Sequence, residues 1–480
     1  MIDWLIYVMM ICFSTSMIIL LVDSIYVKIK RLRLLIAVTI SLIALFSSLA
    51  LLLLNWSLAP KQYYTIRPLE SIFSTLYVFD NIGFVIVFMI LLISISVVFY
   101  SKFYIGSSDN VGPYFSLIIL MVVSMIGVVV AGDLLALFLF WEAMSICAYG
   151  LASFNKEDQL SLESTIKYLL LAGTGSLMAL LGIGLIYNET KSILISDLGK
   201  LFSHNIGIGQ LGLLFLLIGL GVEAAIFPLH TWLPDVYSSS HPPVTSLFVG
   251  ATKATSFYAL IKILQQIRLP EFSITQLNLV IGVIAILTMI VGNFSAVYQS
   301  NIRRLLAYSS ITHAGYILAS LSTISSLGFL ACIFHIWNYC IIKSALFLLT
   351  GTISRNYEDS DLNRFIGIGG KDKLLGSLFA ALSLAMVGSP PFGLFWSELL
   401  IIKSLLISGT FMSLILAISI VINILISIGY YYKIINTITL GAGNLSNKIY
   451  DRMMLVPILI LTFLSLATGI MPWMVINWIT

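Results

Sequence analysis

The stretch Ile208-Gly-Gln-Leu-Gly-Leu-Leu-Phe-Leu-Leu-Ile-Gly-Leu-Gly-Val-Glu223-Ala-Ala-Ile-Phe-Pro228-Leu-His230 is an apolar run of membrane-spanning length that is interrupted from within. Fifteen uncharged residues lead into Glu223, and five residues later comes Pro228. Proline removes a backbone donor and clashes with the preceding turn, so a helix is expected to break there. A charge at bilayer depth costs at least a few kcal/mol. Irregular backbone at that depth is tolerated only where it lines protein or water. A span that carries both features is expected to serve a polar path. Gly388-Ser-Pro390-Pro391-Phe-Gly-Leu-Phe-Trp-Ser-Glu398 has the same ingredients, with Pro390 and Pro391 as the breakers and Glu398 as the deep carboxylate.

The rest of the chain has the composition such spans require. Of 480 residues, 59% are hydrophobic and 10% charged, where a soluble domain has about a quarter charged. Apolar runs long enough to span a bilayer as helices recur along almost the whole length. The alternating pattern of a membrane β-barrel is absent. Fourteen spans are predicted, near 3–26, 34–55, 78–100, 112–131, 133–153, 161–187, 208–229, 243–266, 275–299, 304–324, 326–352, 374–404, 409–432 and 453–478. The fold class is therefore an all-α membrane protein of about 14 transmembrane helices with two broken ones. The broken spans are the seventh and twelfth, an odd offset apart. Topology then predicts inverted five-helix repeats, spans 4–8 against 9–13. The expected divisions are N-terminal helices 1–111, a first repeat 112–266, a second repeat 275–434 and a C-terminal helix 435–480.

Charge orients the bundle. With the N-terminus outside, fifteen basic residues fall in inside loops, including Lys28, Arg31, Arg303, Arg304 and Lys448. Only Lys61, Arg67, Lys191, Lys200 and Arg268 fall outside. This positive-inside bias predicts that both termini face outward. The apolar segment from Leu5 to Val22 lacks a charged flank and a cleavage signature, and is expected to be a retained first helix.

Other function classes find no support. Cys12, Cys147, Cys332 and Cys340 all lie in apolar segments and form no CxxC pair. They suggest buried hydrophobes, not an iron–sulfur, zinc or haem site. Nucleotide-binding and nucleophile-elbow motifs are absent. A net charge of +4 gives no nucleic-acid signature.

The ionisable residues placed deep in spans are Glu142, Glu223, Lys253, Lys343 and Glu398, joined by Lys167. Lys262 and Lys403 lie near span ends, where long side chains can snorkel to the interface. His335, Tyr339 and Lys343 follow at i, i+4 and i+8 and share one helix face. Burial disfavours charge, which draws Lys and Glu toward the point where either can take or release a proton. Moving an opposite charge nearby can then load or eject one. The bland readings are a structural Glu163–Lys167 pair at i, i+4 near a span end, a His313 near a boundary that bonds a carbonyl, and His230 and Asp235 capping the broken helix.

Four motifs then carry a resemblance. They are Asp133-Leu-Leu-Ala-Leu-Phe-Leu-Phe-Trp-Glu142, Pro228-Leu-His230-Thr-Trp232-Leu-Pro234-Asp235, Asn301-Ile-Arg303-Arg304-Leu-Leu-Ala-Tyr308-Ser-Ser-Ile-Thr-His313-Ala-Gly-Tyr316 and Gly388 to Glu398. In this order, over residues 112–434, they resemble the antiporter-like proton-channel subunits of the respiratory complex I family. Relatives occur in membrane-bound hydrogenases, F420 dehydrogenases and multisubunit cation/proton antiporters. The resemblance implies a fourteen-helix core in a bacterial or archaeal cell membrane, or an equivalent energy-transducing membrane. It implies a proton path through Glu142, Lys167, Glu223, Lys253, His313, His335, Lys343 and Glu398, driven by electron transfer elsewhere. It implies homologous antiporter-like subunits and small membrane subunits as partners in the bilayer. Quinone, iron–sulfur clusters and flavin are expected in partner subunits, with no cofactor in this chain. The enzyme implied is a redox-driven proton translocase of the NADH:quinone oxidoreductase type, this chain being a non-redox subunit. No long lateral helix follows span 14, so a position inside the membrane arm is expected.

One position departs from the family. The broken seventh helix usually carries lysine where this chain has Glu223, so the expected Glu–Lys pair becomes Glu142 facing Glu223. Two nearby carboxylates cannot both ionise cheaply. Three arrangements follow: the pair shares a proton and acts as a relay, Lys253 or Lys167 supplies the missing charge, or this half-channel is inactive.

Overall fold

The computed structural model describes residues 3–25, 29–56, 77–106, 110–202, 207–267, 271–357, 360–440 and 450–480. Of the basic residues sorted by topology, Lys28, Lys61, Arg67, Arg268 and Lys448 lie outside the described residues, as do parts of the three longest predicted loops. Among the described residues the chain is helical, with isolated β-bridges and no strand. It divides into two compact units.

The first unit comprises Met1–Glu223 and Ala251–Leu269. Its helices are α1 (Asp3–Ile25), α2 (Lys30–Trp56), α3 (Asn81–Tyr104), α4 (Val111–Val130), α5 (Leu134–Ala152), α6 (Gln159–Thr190), α7 (Ile208–Glu223) and α10 (Lys253–Leu264). Aspartates start several of them by accepting from free N-terminal amides. Asp80 takes the Gly83 N–H at 2.6 Å, Asp133 the Ala136 N–H at 2.7 Å and Asp158 the Leu160 N–H at 3.0 Å. Lys191 ends α6 in the left-handed region. α6 and α7 pack along glycines. A methyl on Gly182 would strike the Gly212 carbonyl, and one on Gly219 the Gly175 carbonyl. Small residues let the two backbones close up, which brings the end of α7 against α6.

The second unit comprises Ala224–Gly250 and Pro270–Thr480. It holds α8 (Trp232–Ser239), α9 (Pro242–Leu247), α11 (Glu271–Val297), α12 (Ile302–Leu321), α13 (Ser326–Tyr357), α14 (Ile368–Lys371), α15 (Lys373–Met386), α16 (Gly393–Ser408), α17 (Phe411–Ile435), α18 (Leu455–Ile470) and α19 (Pro472–Ile479). Asn301 caps α12 through the Arg303 and Arg304 amides at 2.9 and 3.1 Å. α13 is the centre of this unit; its most apolar stretch is wholly buried. Two serines latch α9 onto it, each hydroxyl donating to the other's carbonyl, Ser246 to Ser344 at 3.1 Å and Ser344 to Ser246 at 3.0 Å.

All fourteen predicted spans are helical. Among the described residues, eleven helical stretches are long and apolar enough to cross a membrane, and α7 and α15 are shorter apolar helices. α12 falls short of that apolar standard because it carries Arg303, Arg304, Ser309, Ser310, Thr312 and His313. The outer faces of α6 and α17 expose Leu170, Leu177 and Leu181, and Ile418, Val421 and Leu425, an apolar surface of the kind lipid requires.

The two breaks fall where the prolines place them and share one local form. α7 ends at Glu223, Ala225 is left-handed (φ 54°), and Pro228 follows a cis bond. α15 ends at Met386, Gly388 is left-handed (φ 73°), and Pro391 follows a cis bond. The predicted last span, 453–478, also divides, at Met471. Pro472 has no amide hydrogen to continue α18 and instead opens α19. A further correspondence links the units: Asp133 bridges to Leu194 beyond α6, and Asn301 bridges to Asp361 beyond α13.

Candidate proton-transfer sites

In the second unit the predicted residues meet. Lys343 lies in the middle of α13, fully buried. Its ammonium donates to the Leu306 carbonyl at 2.9 Å, to the Tyr431 hydroxyl at 3.0 Å and to the Ser309 hydroxyl. Two turns earlier on the same helix, His335 is equally buried. Its Nε2 shares a hydrogen bond with His313 Nδ1 at 3.2 Å, and its Nδ1 another with Ser397 Oγ at 3.0 Å. The imidazole of His313 lies 5.1 Å from the rings of Tyr316 and Tyr339. His335 and Tyr339 stack nearly parallel, 6.4 Å apart. The helical spacing of His335, Tyr339 and Lys343 thus becomes a file of polar rings and an amine, flanked by α12 and α17.

Glu398 follows Ser397 on α16 and is 5% exposed. Its carboxylate lies in the notch of the second break, where any Cβ on Gly388 would collide with Oε2. Gly388 is therefore required twice, by its left-handed backbone and by the carboxylate beside it. Glu398 is within electrostatic reach of Tyr316, Tyr430 and Tyr431. A second polar layer backs these tyrosines: Asn293 bonds Asn423 at 2.8 Å, and its amide oxygen accepts from Thr312 at 3.1 Å and Tyr430 at 2.9 Å. The hydrogen bonds fall into separate sets, Lys343–Ser309–Tyr431 and His313–His335–Ser397; within each set, protons can pass by rotation and exchange.

In the first unit the predicted residues gather less completely. Glu223, the last residue of α7, is 5% exposed. Its Oε1 accepts from the Tyr168 hydroxyl, and its Oε2 is buried with no hydrogen-bond partner. Glu142 on α5 lies within electrostatic reach of Glu223 and has a buried, unbonded Oε1. Tyr149, about two turns beyond Glu142, meets Tyr168 edge-on at 4.8 Å. Lys253 is buried at the head of α10, directly after a π-helical turn at Phe248–Thr252. π-turns are rare and recur at functional sites.

Three sequence expectations need correcting. Lys167 is not in the buried set; it lies on the exposed face of α6, paired with Glu163 at 2.8 Å. The next residue, Tyr168, faces inward instead, because adjacent helical positions point about 100° apart. His313 does not sit at a boundary bonding a carbonyl: it is buried and pairs with His335. Lys262 does not snorkel. It is 8% exposed and donates to the Val129 carbonyl at 2.7 Å and to the Ala131 carbonyl. Those carbonyls end α4, where a helix dipole favours a cation. The Tyr258 ring lies 5.6 Å from the ammonium, and Asp80 and Asp133 act on it electrostatically. Asp235 pairs with Arg304 at 2.9 Å, and His230 stacks on Phe227 at 5.6 Å.

The contributors that sequence reasoning missed are Tyr168, Ser309, Ser397, Tyr431 and Lys262. Each is a polar side chain in an apolar span. Nothing in one sequence separates such a residue from the serines that merely bond back to their own helix, as Ser94 does to Ile90 at 2.7 Å.

Fold and sites together define a polytopic helical membrane protein with ionisable groups buried in both units. The chain belongs to the family described as NADH:quinone oxidoreductase/Mrp antiporter, transmembrane, whose pattern matches residues 131–427. It is 30% identical over 408 residues to NADH-quinone oxidoreductase subunit N 2 of Chloroherpeton thalassium, covering 82% of this chain and 78% of that one. Respiratory complex I from Thermus thermophilus contains a chain of the same fold, with a TM-score of 0.80 and 25% identity over 98% of each chain. A chain of an archaeal membrane-bound sulfane sulfur reductase shares the fold at a TM-score of 0.88 and 24% identity, covering 99% of this chain and 96% of that one.

Proposed function

We propose that this chain is a proton-translocating membrane-arm subunit of a complex I-like oxidoreductase, driven by electron transfer in partner subunits. The observation that carries the reading is Lys343: a fully buried ammonium, bonded to Ser309 and Tyr431, on the helix face that also bears His335 and Tyr339. Such a group is expensive to bury, and the same helix face carries a second hydrogen-bonded set, His313–His335–Ser397. Glu398 beside the second break completes the set in this unit. The redox groups (quinone, iron–sulfur clusters and flavin) belong to partner subunits in this reading. The likeness to a subunit N supports it.

The test is to purify the complex through this chain from native membranes, identify its partners and reconstitute it. Proton uptake that starts with electron input and stops with a redox inhibitor is the expected result. Proton movement driven by a sodium gradient, with no redox partner present, would assign the chain to a cation/proton antiporter instead.

A further inference from the structure

The first unit lacks the lysine that usually faces the α5 glutamate, and its geometry shows what stands in that place. Glu223 terminates α7 where glycines draw α7 onto α6. That close approach sets its carboxylate against the hydroxyl of Tyr168, which donates to Oε1. The other oxygen, Oε2, is buried and unbonded, as is Oε1 of Glu142. Glu142 and Glu223 act on each other, and both act on Tyr149. Tyr149 in turn packs against Tyr168. The groups around Glu223 are thus Glu142 and Tyr149 from α5, Tyr168 from α6, and α10 with Lys253 at its head, which packs on α7. Lys167 is removed from this set by its outward pairing with Glu163.

We propose that Glu142 and Glu223 form a two-carboxyl proton station in the first unit, with Tyr168 as the residue that positions and polarises it. The station alternates between one proton on the pair, with net charge −1, and two protons, with net charge zero. Two carboxylates within electrostatic reach of each other resist joint ionisation; in the station one proton stays and the second is exchanged. The buried, unbonded oxygens are where that second proton arrives. Tyr168 keeps its own proton and donates toward Glu223 Oε1 throughout, stabilising whichever state carries charge on that carboxyl. The station does the work of an ion pair with two acids: a charge approaching or leaving from elsewhere shifts the balance between the two states. This inference rests on the proton-transport reading and names the residues that serve it in this unit.

The experiment uses the reconstituted complex with two readouts, electron-coupled proton uptake and the infrared carbonyl band of protonated carboxyl groups. The wild type is expected to show a protonated-carboxyl band that E223Q and E142Q each remove. Either variant should slow proton transfer through this unit by about 100-fold, the usual worth of a positioned acid or base. Y168F should keep the band, move its frequency and slow transfer by roughly 10-fold, the effect of deleting one hydrogen bond to a charged group. Y168F changes no volume beyond a hydroxyl, so it carries the test if E223Q does not assemble. Absence of the band in the wild type means that a cation neutralises the pair and overturns the proposal, as does a carboxyl spectrum that neither E142Q nor E223Q changes, since the separate carboxyl of Glu398 is present in every variant. Unaltered uptake and an unaltered band in Y168F also overturn it. Replacing Lys343 separates the two levels. If K343M leaves uptake intact, the transport reading fails; if K343M blocks uptake while E223Q and Y168F do not, only the carboxyl station fails.

Discussion

Replacing Lys343 with methionine removes one titratable group and little else. Burying an ammonium costs several kcal/mol. Each hydrogen bond it makes to a neutral partner returns about 1.5–3 kcal/mol, and Lys343 makes three. K343M loses both sides of that balance. What remains is already satisfied: the Ser309 hydroxyl donates to the Leu306 carbonyl at 3.0 Å and lies 3.0 Å from the Tyr431 hydroxyl. Methionine fills the stem's volume with a flexible apolar chain. The expected stability change is therefore small, about 1 kcal/mol in either direction. Proton transfer through this unit should fall by about 100-fold or more, the worth of a positioned acid–base group. The assay is protons moved per electron in liposomes holding the purified complex, with thermal unfolding of the same sample as control. The ratio should drop by the share this subunit carries while the melting curve barely moves. K343R keeps the charge but never releases its proton, so it should fail as K343M does. Normal stoichiometry in K343M, or full rescue by arginine, would refute the reasoning, since charge alone or mere packing would then suffice.

Three further outcomes follow from other parts of the molecule. Gly219→Val forces a branched side chain into the Gly175 carbonyl; it should destabilise the protein by about 1–3 kcal/mol or more and pull Glu223 off Tyr168, which thermal unfolding in detergent and the infrared band would both report. Lys262→Met leaves the ends of α4 without their cation while Asp80 and Asp133 remain; a loss of about 3–5 kcal/mol is expected, with Lys262→Arg recovering part of it in the same unfolding assay. Lys167→Ala breaks an exposed pair with Glu163; stability should change by less than about 0.5 kcal/mol and proton uptake should not change, so a large loss of uptake would return Lys167 to the path.

The legibility of the sites in the sequence differed between the units for a physical reason. In the second unit, helical periodicity places His335, Tyr339 and Lys343 on one face, and the structure finds that face fully buried. Periodicity cannot say which side chains from α12, α16 and α17 close over it, because those contacts join positions up to 88 residues apart, as Lys343 and Tyr431 are. In the first unit, Lys167 and Tyr168 are neighbours in sequence and both are plausible proton carriers. Only the packing of α6 against α7 decides that Tyr168 faces Glu223 while Lys167 faces outward. Lys262 shows the same limit from the other direction, since nearness to a span end suggests snorkelling, whereas the carbonyls that end α4 supply its partners inside.

Composition and spacing alone determined that this chain is a helical membrane protein, since only helices satisfy every backbone group within such long apolar runs. They determined too where two of its helices break, because proline cannot continue a helix wherever it falls. Which ionisable groups touch, and through which hydroxyls, was decided by tertiary structure. A proton-transfer contact spans about 3 Å between different helices, and the rotation and approach that create it are set by glycine notches and buried caps acting across the fold. A linear order of residues contains none of those distances.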